Sequence, residues 1–286
     1  MNEPQPTGNY QAKWGEGPTW HQGRLLYVDI HDHCIFEFDP NSGERKKWSL
    51  DQEVGFVVPC KTGRLLWGGE NGLYFLDRET GISTAIYDPE PDLSENRFND
   101  GKCSPDGRLF AGTIARNKVT GAARLYRIDP DLAHEEVYGP VTNSNGLAWS
   151  ADGKTLFYID TPSKEVKAFD YDSTTGQIQN VRVVVETKDK ESSPDGMTID
   201  HEDHLWIAFC HGGHVARYDP VSGKEVDRID VPAHETTSCA FGGPEGRDLY
   251  ISTGTAKDRD EEFGGSLFVV RNLPVGGPAA AIFDDS

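Results

Sequence analysis

"NSNGLAWSADGK" (residues 143–154) and, fifty residues later, "SPDGMTIDHEDH" (residues 193–204) are two statements of one pattern. Each carries a polar residue before glycine, Asn145-Gly146 or Asp195-Gly196, then a short apolar stretch, then a turn cluster eight residues after the polar one. The runs that follow, "TLFYID" (155–160) and "HLWIAF" (204–209), are too short for helices and rich in aromatic and β-branched residues, as buried strands are. Working outward, the same run occurs four more times: "RLLYVDI" (24–30), "RLLWGG" (64–69), "RLFAGT" (108–113) and "DLYIST" (248–253). The turn positions in front of the six runs, Gly23, Gly63, Gly107, Gly153, Asp203 and Gly246, lie 40, 44, 46, 50 and 43 residues apart. A second strand follows each run, and in five copies it ends on Asp and a turn, as in "CIFEFDPNSG" and "VARYDPVSG"; the sixth, "SLFVV", lacks the Asp.

A repeat of about 40 to 45 residues holding about four short strands is the signature of a β-propeller blade. The expected fold is therefore an all-β, six-bladed β-propeller in a single domain spanning residues 1–286. Its blades begin near residues 16, 55, 99, 145, 195 and 238, behind a short N-terminal extension (1–13). The C-terminal "NLPVGGPAAAIFDDS" is expected to be a last strand and a tail, and either terminus is placed to close the ring. Two packed β-sandwich domains would explain neither the period nor the even spread of 31 Gly and 17 Pro.

A formal net charge of −19 argues against nucleic acid and anionic membrane surfaces, both of which reward clustered Lys and Arg. No apolar run approaches the roughly 20 residues of a membrane span, and "MNEPQPTGNYQAKW" lacks a signal-peptide pattern. The expectation is a soluble, cytoplasmic protein, with oligomeric state left open and a monomer compatible. Cys34, Cys60, Cys103, Cys210 and Cys239 are odd in number and contain no C-x-x-C pair, so they are expected to be reduced, buried and structural.

First strands of propeller blades line the central channel, so equivalent positions form rings around it. The position preceding the turn by eight residues (seven in the first copy) reads Glu16, Gly55, Asn99, Asn145, Asp195 and Ser238. Any one Asn-Gly or Asp-Gly is most simply a tight turn. A turn residue, however, would recur in all six copies, whereas Gly55 and Ser238 break the series and the other four carry oxygen donors. Oxygen donors without His or Cys suit one hard divalent cation, Ca²⁺, Mg²⁺ or Mn²⁺, with Zn²⁺ and Fe²⁺ accommodated less characteristically.

"GEGPTW", "NRFNDGKCSPDGRLFAGT", "SNGLAWSADGKTLFYIDT", "SPDGMTID" and "TTSCAFGG" closely resemble the regucalcin, gluconolactonase and luciferin-regenerating-enzyme family. Its members are six-bladed propellers and mostly metal-dependent sugar lactonases, and the resemblance runs from about residue 16 to 270. It implies a metal held by Glu16, Asn145 and Asp195, substrate contacts from Arg97 and Asn99, an approach of Asn99 to the metal, and Asp195 as general base. The implied reaction is hydrolysis of a small sugar lactone, an aldono-1,4- or 1,5-lactone, to its acid. The proton acceptor is either Asp195 or the cation-activated water itself, because a carboxylate that ligates a dication is a poorer base. Phosphotriester or larger-lactone hydrolysis, and calcium binding without turnover, stand as alternatives. "ARNKVTGAA" (115–123) departs from the longer acidic lid of animal regucalcins, which unsettles any transfer of their substrate preference.

His211 and His214 follow the fifth blade's strand, and His211 is the added substrate-binding candidate; His31 and His33 occupy a similar place in the first blade. "KDRDEEFGG" (257–265) lacks calcium-loop spacing and reads as a solvated loop.

Overall fold

The computed structural model describes residues 3–187 and 191–286. Six four-stranded antiparallel sheets follow one another around a ring, giving the six-bladed β-propeller that the repeat predicts. The inner strands are Gly15–His21, Val54–Pro59, Asn96–Cys103, Ser144–Trp149, Ser193–Ile199 and Glu235–Gly242. Apart from strands, the described residues contain one short 3-10 turn, Thr161–Ser163. None of their helices is long and apolar enough to cross a membrane.

Each turn position read from the repeat has the backbone that a tight hairpin needs. Gly23, Gly63, Gly107, Gly153, Asp203 and Gly246 all have φ between 59° and 91°. Glycine adopts this region without a Cβ penalty, which is why five of the six are glycine.

Burial falls from the channel outward, and sequence follows it. All eight residues of Glu235–Gly242 and all seven of Asp248–Gly254 are buried, whereas Ser83–Tyr87 and Lys224–Asp230, each the fourth strand of its blade, are mostly exposed. Strands covered on both faces read as continuous apolar runs, which made the second strands the easiest to recognise. The core lies between blades: Phe56, Val58 and Leu66 of the second pack with Phe98, Leu109 and Tyr126 of the third. All five cysteines are free and buried.

The termini correct the expected extension and tail. Gln5–Gln11, placed by the sequence reading in a short extension, forms the fourth strand of the sixth blade, beside Ser266–Val270. Asp29 anchors this closure: it is fully buried and accepts hydrogen bonds from the Tyr10 hydroxyl (2.9 Å) and from the Lys13 and Trp14 amides (2.9 and 3.0 Å). The C-terminal segment forms no strand. It crosses to the second and third blades, where buried Phe283 exchanges backbone hydrogen bonds with Pro59 and Lys61 and the Asp284 amide reaches Gly107.

Candidate functional site

Glu16, Asn99, Asn145 and Asp195 stand near the starts of four inner strands. In all six blades the pairing of the inner strand slips in this region, between Glu16 and Thr19, Val54 and Phe56, Phe98 and Asp100, Asn145 and Leu147, Pro194 and Met197, and Thr236 and Ser238. A bulge adds a residue to one strand and re-aims its side chain. Gly146 and Gly196, after Asn145 and Asp195, serve contact with the next blade and not a turn, whereas Gly17, after Glu16, has a positive φ of 59°. A Cβ on Gly146 would lie 2.8 Å from the Asp195 carbonyl oxygen, and one on Gly196 would overlap Ser238.

Glu16, Asn145 and Asp195 are each at least 94% buried. Burial, then the anions of Asp195 and Asp100, push the Glu16 carboxyl well above its usual range; the Gly17 amide, donating to Oε2 at 2.8 Å, and Arg97 partly oppose this. Asp195 is likewise raised, by burial and by Asp100 and Glu235. Among the described residues no hydrogen bond reaches the Asp195 carboxylate. Burial and neighbouring acids disfavour the charge on both carboxyls in the metal-free protein, so the site is a cluster of oxygen donors whose ionised form a bound cation would stabilise. Such a donor set fits a hard divalent cation.

The Asn145 carboxamide is held in one orientation from both sides. Its Nδ2 donates to Thr161 Oγ1 (2.8 Å), and the Thr161 hydroxyl spends its proton on the Pro194 carbonyl (3.0 Å), so Oγ1 can only accept from Asn145. The amide oxygen is thereby turned toward Asn99, whose Nδ2 donates to it at 3.2 Å. Asn99 Nδ2 also reaches the Ser144 carbonyl (2.8 Å) and Asn143 Oδ1 (3.0 Å). Asn99 thus braces the Asn145 oxygen in this structure.

Arg97 supports Asn99. Its Nη1 donates to Asn99 Oδ1 (2.8 Å) and its Nε to Glu53 Oε2 (3.0 Å), while Nη2 has no hydrogen bond among the described residues. Glu53 also accepts from His31 at 2.8 Å; that bond, with Arg97 and Arg116, depresses its pKa to about 2. His31 therefore joins the periphery of the site through Glu53. His211 binds Glu235 through Nδ1 and not the Glu16, Asn145 and Asp195 group. His214 is buried and stacked on Phe209 at 4.6 Å.

The sequence reading did not single out Asp100 and Lys102. Asp100 is buried with its carboxyl raised by desolvation, and Lys102, lowered by the same cause, donates from Nζ to the Met197 carbonyl at 2.7 Å. The available signal was that Asp100 and Lys102 occupy alternate positions, and so one face, of an inner strand that is buried along most of its length. Thr161 gave no signal, since it lies outside the repeated phrase. A separate cavity of about 360 Å³ opens at the other ends of the inner strands, lined by Trp20, Lys102, Trp149 and Phe241 and crossed by Pro278 to Ala281.

The model of the SMP-30/Gluconolactonase/LRE-like region matches residues 14–255. Regucalcin of Xenopus laevis is 36% identical over 284 residues, covering 95% of each chain. YvrE of Bacillus subtilis (strain 168), a proposed sugar lactone lactonase, is 35% identical over 254 residues, covering 88% of this chain and 87% of its own. The solved structure of a calcium-binding protein, regucalcin, from Agrobacterium tumefaciens superposes with a TM-score of 0.93 at 26% identity, over 99% of this chain and 97% of that one.

Proposed function

The chain belongs to the SMP-30/gluconolactonase/LRE-like family, and we propose that it hydrolyses a small sugar lactone at the Glu16, Asn145 and Asp195 end of its channel. One observation carries this reading: two buried carboxylates on different blades, raised first by burial and then by neighbouring acids, stand with an oriented carboxamide oxygen. Glu16, Asp195 and the Asn145 oxygen would hold a divalent cation, and Asn99 keeps the last of these in place. Bound there, the cation would polarise the lactone carbonyl and acidify a water.

The protein's own groups account for the rest. Asp195, whose carboxylate accepts no hydrogen bond among the described residues, takes the proton of the attacking water. Arg97 presents Nη2 to a ring hydroxyl or to the developing oxyanion, its Nε and Nη1 being fixed by Glu53 and Asn99. His211, exposed and on the same end of the fifth blade, is a contact for the outer part of the sugar. Calcium binding without turnover is the competing reading, favoured by the name of the Agrobacterium neighbour.

Chelator-stripped protein, supplied separately with Ca²⁺, Mg²⁺, Mn²⁺, Zn²⁺ and Fe²⁺, tests both readings by acid release from a panel of aldono-1,4- and 1,5-lactones. Hydrolysis above buffer with at least one metal, abolished by Asp195→Asn and Glu16→Gln, is the expected result. Tight metal binding with no lactone opened would leave the calcium-binding reading and remove this one.

A further inference from the structure

We propose a second cation site, for a zinc-class ion, formed by Cys210, His211 and Glu235 at the junction of the fifth and sixth blades. Cys210 ends the strand Leu205–Cys210, His211 follows in the hairpin, and Glu235 begins the inner strand Glu235–Gly242. Their donor atoms, the Cys210 sulfur, a His211 ring nitrogen and a Glu235 carboxylate oxygen, all lie within 4.8 Å of one another. Among the described residues no other set of three His, Cys, Asp or Glu meets that condition.

The donor chemistry differs in kind from that of the channel. Glu16, Asn145 and Asp195 offer only oxygen, whereas this group offers sulfur, nitrogen and oxygen, the mixture that selects zinc over calcium or magnesium. Three protein ligands with a fourth position open to solvent is a zinc arrangement in its own right. Cys210 and Glu235 are buried and fixed, while the His211 side chain is 58% exposed, so the ion has both a rigid base and an entry path. The His234 ring, centred 6.0 Å from that of His211, flanks the entry.

In this structure the three groups are drawn together by hydrogen bonds. The thiol donates to Glu235 Oε2 at 3.1 Å, and His211 Nδ1 stands 2.8 Å from Oε2 and 3.1 Å from Oε1. A tetrahedral zinc site needs ligand separations of roughly 3.3 to 3.6 Å. An opening of about half an ångström is therefore required, and rotation of the exposed His211 ring supplies it. The ion replaces the thiol proton, which passes to solvent, so one proton is released for each ion bound.

Cobalt(II) tests this directly, because a thiolate ligand gives a charge-transfer absorption that an all-oxygen site does not. Reduced protein, with the channel saturated by Ca²⁺, is titrated with Co²⁺ alone and then back-titrated with Zn²⁺. The expected result is a thiolate-to-cobalt band that saturates at one equivalent and is erased by Zn²⁺. The band should be lost in Cys210→Ser and Glu235→Gln, and His211→Ala should weaken zinc binding by about tenfold or more. His211→Ala changes an exposed side chain and guards against a folding artefact at the two buried positions. Absence of the band in the wild-type protein, or its survival unchanged in both Cys210→Ser and His211→Ala, overturns the proposal. Neither outcome depends on lactone hydrolysis, so this site and the channel reading fail separately.

Discussion

Thr161→Val tests whether the orientation of one carboxamide governs the channel site. The hydroxyl accepts from Asn145 Nδ2 at 2.8 Å and donates to the Pro194 carbonyl at 3.0 Å, and valine keeps the shape while removing both bonds. Each such bond contributes about 0.5–1.5 kcal/mol net, so the metal-free protein should lose about 1–3 kcal/mol of stability. The larger effect is on the amide: without Oγ1, only the 3.2 Å bond from Asn99 Nδ2 still opposes a flip that turns Asn145 Nδ2 toward the cation position. Loss of a group that orients a ligand costs about 10- to 100-fold in metal affinity, which is about 1.4–2.7 kcal/mol. Competition against a chromophoric chelator measures the affinity, and thermal unfolding with excess chelator measures the stability separately. Thr161→Ser keeps the hydroxyl and should recover the affinity. Metal affinity within about twofold of wild type in Thr161→Val would refute the reasoning, whatever the stability change.

Three further outcomes are expected. Glu53 has a folded pKa depressed to about 2, so the stability it contributes is present above its unfolded value of about 4.3 and is lost as pH falls toward 2. Glu53→Gln should flatten that part of the acid-unfolding profile, and an unchanged acid limb would count against the His31, Glu53 and Arg97 chain. Deleting residues 1–11 uncovers the edge of Ser266–Val270, where Leu267 and Val269 are only 4% exposed, and should lower the melting temperature and promote aggregation; a deletion variant as stable and monodisperse as the full chain would deny this strand its closing role. Gly146→Ala places a Cβ 2.8 Å from the Asp195 carbonyl oxygen, so it should lower both stability, by about 1–3 kcal/mol, and metal affinity. Loss of stability with metal affinity intact would show that the blade contact does not position Asp195.

The fold was legible because a propeller repeats one local problem six times. Each hairpin needs a residue that accepts positive φ, and the spacing of Gly23, Gly63, Gly107, Gly153, Asp203 and Gly246 exposes the repeat even where the strands themselves diverge. Ring closure was not legible. Gln5–Gln11 pairs with a strand some 260 residues away, and its exposed, mixed composition carries no mark of that partner. The tail escapes for a related reason: Phe283 is buried in the apolar cluster of the second and third blades, beside Phe75, and its backbone pairs with Pro59 and Lys61, partners far from it in sequence.

At the site, position was readable and orientation was not. The equivalent places of Glu16, Asn145 and Asp195 follow from counting back from a turn, but Gly146 and Gly196 are there for interblade contact, which the Asn-Gly and Asp-Gly dipeptides disguise as turn chemistry. Whether Asn145 offers oxygen or nitrogen to the channel depends on Thr161, sixteen residues on and in no repeated position, and on where the Thr161 proton goes. His211 illustrates the same limit. Its place after the fifth blade's strand suggested a substrate contact, but the residue that fixes its ring is Glu235, the first residue of the next blade's inner strand. That carboxylate also helps raise Asp195. A cation held by Cys210, His211 and Glu235 would therefore withdraw negative charge from beside Asp195 as well as immobilise His211. The chemistry of the channel is set partly by contacts between blades, which the repeat, being a property of single blades, does not encode.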